Sequence, residues 1–316
     1  MRTRAGTRGI GGCAPVCLLV LLMTGSSHAV RAAPGKCTLG RIAEFPITMN
    51  GPRAQMTAKI NGQDVRLTVD SGAFYSMLSP ASAATLGLKL SPLPTGFFVR
   101  GMGGGRADVL YSSVKTLTLA GAELHNIGFL VGGSEIGSGS VGLLGRNILH
   151  LADIEYDLTH GFIRLFEPKD CAQGPLSYWG ASSEVGVFAR SDFPQSTTGS
   201  LMTQTKAPWM YTNISIVLVN GKEYHAELDT GAPVSFISLS AAAKVGVKPD
   251  SPGVVYAGDS FGVGRTTFRS YIARFDSFKI GAEEIKNAKL RIGDIDLPGV
   301  DMILGADFAL SHRIYV

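Results

Sequence analysis

The chain has 316 residues, enough for two domains of ordinary size, with 45% apolar and 17% charged residues, 40 glycines and 15 prolines. That composition excludes a disordered or collagen-like chain and favours a globular protein rich in strands and turns. The formal charge of +4 is carried by the N-terminus: Arg2, Arg4, Arg8 and Arg31 lie there and all 25 acidic residues lie beyond. The rest of the chain is balanced in charge and offers no basic field for nucleic acid.

The first element is a leader. Three arginines precede the apolar run Val16–Met23, and small residues (Ser27, Ala29) come after it. This is the layout of a secretory signal peptide, predicted over residues 1–32, and its apolar run is too short to span a bilayer. Export to the periplasm or beyond is the expectation, without stable membrane insertion once the leader is cleaved. Cys13 and Cys17 leave with the leader, so only Cys37 and Cys171 remain. An even count in an exported chain predicts one disulfide between them, the alternative being two free thiols. The cysteines lack zinc-ligand spacing and the six histidines are scattered, so no metal or other cofactor is implied.

Beyond the leader the chain is written twice. Displaced by 159 residues, VRLTVDSGAFYSMLSP at Val65–Pro80 falls on YHAELDTGAPVSFISL, and the match runs without a gap from Met56 to Lys89. Asn61-Gly62 meets Asn220-Gly221, Asp70 meets Asp229, Gly72-Ala73 meets Gly231-Ala232, Ser76 meets Ser235 and Ser79 meets Ser238. In each copy the Asn-Gly pair predicts a tight hairpin whose second strand runs into the aspartate. A turn, a short strand and a short helix come next, with Ser79 and Ser238 as N-caps and Gly87 and Gly246 at the stops.

After the helix each copy has a glycine cluster suited to a hairpin tip: GMGGGR, with Gly101, Gly103, Gly104 and Gly105, and FGVGR, with Gly262 and Gly264. Each copy closes on two apolar residues and a glycine, Leu143-Leu144-Gly145 and Ile303-Leu304-Gly305, which lie 75 and 76 residues after the respective aspartates. Gly137–Gly142 has the spacing of a dinucleotide-binding loop but lacks its strand-helix context and reads as a loop.

These residues resemble the retropepsin-like aspartic proteases, particularly the exported bacterial ones. The resemblance rests on Asp70-Ser71-Gly72-Ala73, Asp229-Thr230-Gly231-Ala232, the glycine clusters and the two apolar-apolar-Gly segments. It implies a mostly-β chain of two tandem retropepsin-like β-barrel lobes, the pepsin-like acid protease fold, paired as a pseudo-dimer about a central cleft. The lobes are expected at 40–167 and 209–316, joined by a linker at 168–208. The resemblance makes Asp70 and Asp229 a catalytic dyad acting on a water. Ser71 and Thr230 would cross-brace the two loops, and Gly72 and Gly231 would let them approach. The glycine clusters become flaps over an extended polypeptide substrate, and Leu143, Leu144, Ile303 and Leu304 pack beneath the loops. Ala73 and Ala232 stand where pepsin-like enzymes often carry a hydroxyl that depresses the carboxylate pKa, so a mildly acidic to near-neutral optimum is expected. The alternative function is a catalytically silent peptide-binding module on the same fold.

Three departures carry expectations of their own. Retroviral enzymes pair the arginine of the Gly-Arg-Asn phrase with an aspartate four residues after the catalytic one. Phe74 and Pro233 occupy that position here, which leaves Arg146 without its partner. The second repeat stops 11 residues past Gly305, against 21 for the first, and is expected to lack its last strands. The Ser-, Gly- and Pro-rich connector is longer than two docked lobes need.

Overall fold

The computed structural model describes residues 37–95, 97–133, 139–171, 176–180, 185, 187–191, 211–263 and 266–316. The predicted leader, Gly264 and most of the expected linker lie outside these residues. Among the described residues no helix is long and apolar enough to cross a membrane.

In the first lobe β1 (Thr38–Asn50), β2 (Arg53–Ile60) and β3 (Gln63–Val69) form an antiparallel meander. The turn between β2 and β3 holds Asn61 at φ 50° and Gly62 at φ 83°, both left-handed, as a two-residue hairpin loop requires. The short β4 (Met77–Leu78) leads into α1 (Pro80–Thr85), whose N-cap Ser79 accepts a hydrogen bond from the Ser82 N–H. The glycine hairpin comes next as β5 (Val99–Arg100) and β6 (Arg106–Ala107), then the long hairpin β7 (Val109–Leu119) and β8 (Ala122–Gly132). Strand β9 (Gly142–Leu144) enters between β3 and β4, parallel to the former and antiparallel to the latter. Then come α2 (Arg146–Leu149) and the hairpin β10 (Asp153–Asp157) and β11 (Phe162–Lys169), with β11 returning along β1. Met56, Leu67, Val69, Leu117 and Phe129 fill the interior.

The second lobe repeats this plan. Strand β12 (Val187–Ser191), inside the segment expected to be linker, pairs with β13 (Tyr211–Val219), which turns through Asn220 and Gly221 into β14 (Lys222–Leu228). After β15 (Phe236–Ser238) comes α3 (Leu239–Ala243), capped by Ser238. Strand β16 (Val255–Phe261) leads to the long hairpin β17 (Thr267–Ile280) and β18 (Glu283–Gly293). Strand β19 (Met302–Leu304) enters beside β14 and β15 in the β9 arrangement, and α4 (Ala306–Ala309) succeeds it. Tyr224, Phe275, Ile292 and Met302 centre this core.

The second repeat, expected to lack its last strands, ends instead in a strand given to the other lobe. Ile314–Tyr315 form β20, which pairs with β10 of the first lobe, giving a sheet edge ordered β20-β10-β11-β1. Arg313 enters with it and contacts Glu155, fully buried, at 3.0 Å. Such an anion needs cations in its shell, and Arg164 supplies the second at 2.5 Å. The tail of one repeat thus becomes part of the other lobe. Cys37 and Cys171 are joined by a disulfide across the base of β1 and β11.

Candidate active site

Two loops meet where β3 and β14 end. The N–H of Asp70 donates to the Leu144 carbonyl at 3.0 Å, and that of Asp229 donates to the Leu304 carbonyl at 2.9 Å. Each aspartate is therefore fixed by the buried strand inserted beside it. This is the structural use of Leu143-Leu144 and Ile303-Leu304, all four of them buried. The glycines after them are required by space. A Cβ at Gly145 would stand 2.6 Å from the Tyr75 carbonyl carbon, and one at Gly305 would stand 2.5 Å from that of Val234.

The loops grip each other reciprocally. The Ser71 N–H donates to Thr230 Oγ1 at 3.1 Å, and the Thr230 N–H donates to Ser71 Oγ at 3.0 Å. Each hydroxyl in turn donates across the junction: Ser71 Oγ to the Leu228 carbonyl at 2.8 Å and Thr230 Oγ1 to the Val69 carbonyl at 3.0 Å. All four groups are buried and all are satisfied, so losing one partner strands another. Gly72 and Gly231 come next in the chain, and a Cβ at either would lie 2.5 or 2.4 Å from Cγ of the opposite aspartate. The backbone of each loop therefore rests against the carboxyl of the other, which no residue with a side chain permits.

The carboxyls of Asp70 and Asp229 are hydrogen-bonding neighbours. Asp70 Oδ1 accepts from the Ala73 N–H at 2.8 Å, and Asp229 Oδ1 accepts from the N–H groups of Gly231 (2.9 Å) and Ala232 (3.1 Å). Burial raises the pKa of both, and the adjacent Asp70 carboxylate helps push Asp229 up to about 8. Backbone N–H groups oppose the rise, with Arg146 assisting at Asp70. The titration of two carboxyls so placed is a property of both groups.

The glycine hairpin of the first lobe reaches over to the second. A Cβ at Gly101 would stand 2.2 Å from the Val263 carbonyl oxygen, and one at Gly103 would stand 2.7 Å from the Phe268 ring. Those at Gly104 and Gly105 would meet Asp296 and Thr266 at 3.0 and 2.5 Å, and one at Gly262 would meet the Met102 N at 2.7 Å. The Asp296 N–H donates to the Met102 carbonyl at 2.8 Å, and Arg100 Nη1 lies 2.6 Å from Asp296 Oδ2.

Sequence reasoning overlooked the supports of these loops. Ser76 Oγ accepts from the Gly145 N–H and donates to Asn147, while Ser235 Oγ accepts from the Gly305 N–H and donates to Asp307. The signal was present, since Ser76 and Ser235 coincide in the repeat. The expectation that Arg146 lacks a partner is corrected: its Nη1 lies 3.4 Å from Glu227 Oε1, in the other lobe, and donates to the carbonyls of Ser71 and Gly72 at 3.1 Å each. No alignment of one copy on the other could find this contact, because Glu227 stands opposite Thr68 in the repeat.

A two-lobed β protein that brings one aspartate from each lobe to a shared, cross-braced junction has the architecture of an aspartic protease. The chain belongs to that family. The model described as "Aspartyl protease" matches it twice, at residues 56–148 and 216–308, over more than half its length. Among solved structures it is similar to a retropepsin-like aspartic protease from Rickettsia conorii, with 21% identity over 42% of this chain and 94% of that one and a TM-score of 0.29. It is also similar to the EIAV protease complexed with the inhibitor HBY-793, with 26% identity over 33% of this chain and 91% of that one and a TM-score of 0.27. No curated protein matches.

Proposed function

We propose that the protein is an aspartic endopeptidase that hydrolyses extended polypeptide segments with a water activated by Asp70 and Asp229. The observation that carries this reading is the reciprocal brace that sets the two aspartates against each other's loops. Two carboxyls held together by the Ser71–Thr230 brace cannot both ionise near neutrality. The ionised member takes a proton from water as the water oxygen attacks the peptide carbonyl. The protonated member gives its proton to the carbonyl oxygen. Collapse of the resulting diol breaks the C–N bond, delivers one proton to the leaving amine and returns the dyad to a single proton.

Gly101, Gly103, Gly104, Gly105 and Gly262 form flaps that part for the substrate and close over it, excluding water. A polypeptide entering as an added strand would be held by main-chain hydrogen bonds, with alternate side chains read by pockets. The Cys37–Cys171 disulfide supports an oxidising compartment, hence export after removal of the leader. No cofactor takes part, and both lobes come from one chain.

The test is cleavage of an unbiased peptide library by the mature chain across pH 3–8, beside Asp70→Asn and Asp229→Asn. Cleavage lost in both variants and blocked by a statine-type inhibitor is the expected result. Wild-type protein that binds extended peptides and cuts none would overturn the reading in favour of a silent binding module.

A further inference from the structure

The two repeats match closely where the loops meet, and they differ in the charges set around them. Arg146 opens α2, and its counterpart in the second repeat is Ala306. Glu227 lies two residues before Asp229, and its counterpart is Thr68. The Arg146 and Glu227 side chains are 1% and 7% exposed, and Glu227 Oε1 also accepts from Thr212 Oγ1 at 2.6 Å. The resulting ion pair crosses from lobe to lobe. Its cation lies under the carbonyls of the two residues after Asp70, and its anion sits on the strand that delivers Asp229. A second difference has the same sign. The group that supports Ser76 is the neutral Asn147, whereas the one that supports Ser235 is the carboxylate of Asp307.

We infer that Arg146 and Glu227 are a positioning pair that makes the dyad unequal. They hold the negative charge on Asp70 and leave the shared proton on Asp229. Given the endopeptidase reading on which this division of roles rests, Asp70 takes the proton from water and Asp229 protonates the scissile carbonyl. As the C–N bond breaks, the proton on Asp70 passes to the leaving nitrogen and a hydroxyl proton of the diol returns to Asp229. Both groups are thereby restored.

The remaining groups near the dyad do not reverse this polarity. Tyr156, buried below Ser71, is held neutral by burial, its hydroxyl pKa well above the usual range. It lines a small cavity of about 20 Å³ together with Ser71, Arg146, His150 and Thr212, room for about one water. Above the cleft Arg100 and Asp296 neutralise each other. The Arg146 charge also acts more strongly on Asp70 than on Asp229.

The test needs no substrate. Protein labelled with ¹³C at the aspartate carboxyls is titrated from pH 3 to 9, with the two resonances assigned through Asp70→Asn and Asp229→Asn. Between the two steps Asp70 is expected at the carboxylate shift and Asp229 at the acid shift. Arg146→Met should raise the first apparent pKa of the pair by about one pH unit, and Glu227→Gln, which leaves the Arg146 charge unopposed, should lower it. A merely structural role moves both variants the same way. The double variant Arg146→Met/Glu227→Gln removes both charges and decides the matter if a single variant fails to fold: its two carboxyl shifts should converge. Shifts of one sign in both single variants, a double variant as unequal as the wild type, or the carboxylate on Asp229 would overturn the inference. An unequal dyad in a protein that cuts no peptide would instead refute the endopeptidase reading alone.

Discussion

Because the folded chain keeps a proton that the unfolded chain releases, its stability should fall as pH rises through neutrality. Asp229 moves from an ordinary 3.8 to about 8 in the folded protein, through burial and the neighbouring Asp70 carboxylate. Above about pH 4 the unfolded state has lost this proton while the native state holds it, so the unfolded state binds fewer protons and stability declines with pH. The contribution is fully present below the unfolded value and is lost as pH approaches the folded one. One retained proton sets an upper limit on the order of 1 kcal/mol per pH unit, or roughly 3 kcal/mol between pH 5 and 7. For a chain of this size that is roughly 4–5 °C in Tm.

Thermal unfolding of wild type and Asp70→Asn/Asp229→Asn at pH 5, 6 and 7 checks this. Asparagine keeps the shape and can still accept the Ala73 and Ala232 N–H bonds, so the double variant isolates the charge. Its Tm should lose the dyad's slope and exceed that of wild type at pH 7. Glu44 and Asp157, both lowered, have the opposite sign, since their stabilisation is lost only as pH falls below the ordinary carboxylate range. Asp153, raised by burial, shares the sign of the dyad but titrates in both proteins and drops out of the difference. Parallel pH slopes in wild type and double variant would refute the reasoning.

Gly231→Ala would set a Cβ 2.4 Å from Cγ of Asp70, against a loop fixed on both sides, so the proposed peptidase activity should fall by about a hundredfold or more while circular dichroism stays that of a β protein. Thr230→Val deletes the acceptor for the buried Ser71 N–H and should lower the denaturant midpoint by the equivalent of about 1–3 kcal/mol. Cys37→Ser/Cys171→Ser opens a loop closed across a separation of 134 residues and should cost about 3–5 kcal/mol, measured the same way. Asp296→Asn breaks an exposed ion pair worth less than about 1 kcal/mol to stability, so Tm should hold. It unlatches the Arg100 hairpin, however, and tryptic cleavage at Arg100 or Arg106 should become faster, as it should for wild type in high salt.

What could be read in advance was whatever local chemistry demands twice. An Asn-Gly pair can take left-handed φ at low cost, so the hairpins at Asn61 and Asn220 were legible from two letters each. The caps at Ser79 and Ser238 and the aspartates at the strand ends were legible for the same reason. The partner of Arg146 was not. Sequence reasoning looked four residues past Asp70, where Phe74 stands, but the compensating charge lies 81 residues away in the other lobe. Nothing in the Lys222–Leu228 run marks Glu227 as inward, because Ala226 beside it is buried as well. Nor do the residues of β12 announce a strand amid Ser and Gly, since its pairing depends on β13 being in place.

The positions that kept their likeness and those that lost it obey a physical division. Ser71 and Thr230 bond to each other, and Gly72 and Gly231 each face the other's aspartate, so every one of these residues is the environment of its own counterpart. A change in one copy is felt at once in both loops, which ties the two copies together. Arg146, Glu227, Thr212 and the β20 strand lie off this junction. Arg146, Glu227 and β20 each meet a residue of different kind in the opposite lobe, so one copy can change without the other. Freed from the repeat, Arg146 and Glu227 bear the charge that a dyad of two identical groups cannot supply from within: a field that tells one carboxyl from the other.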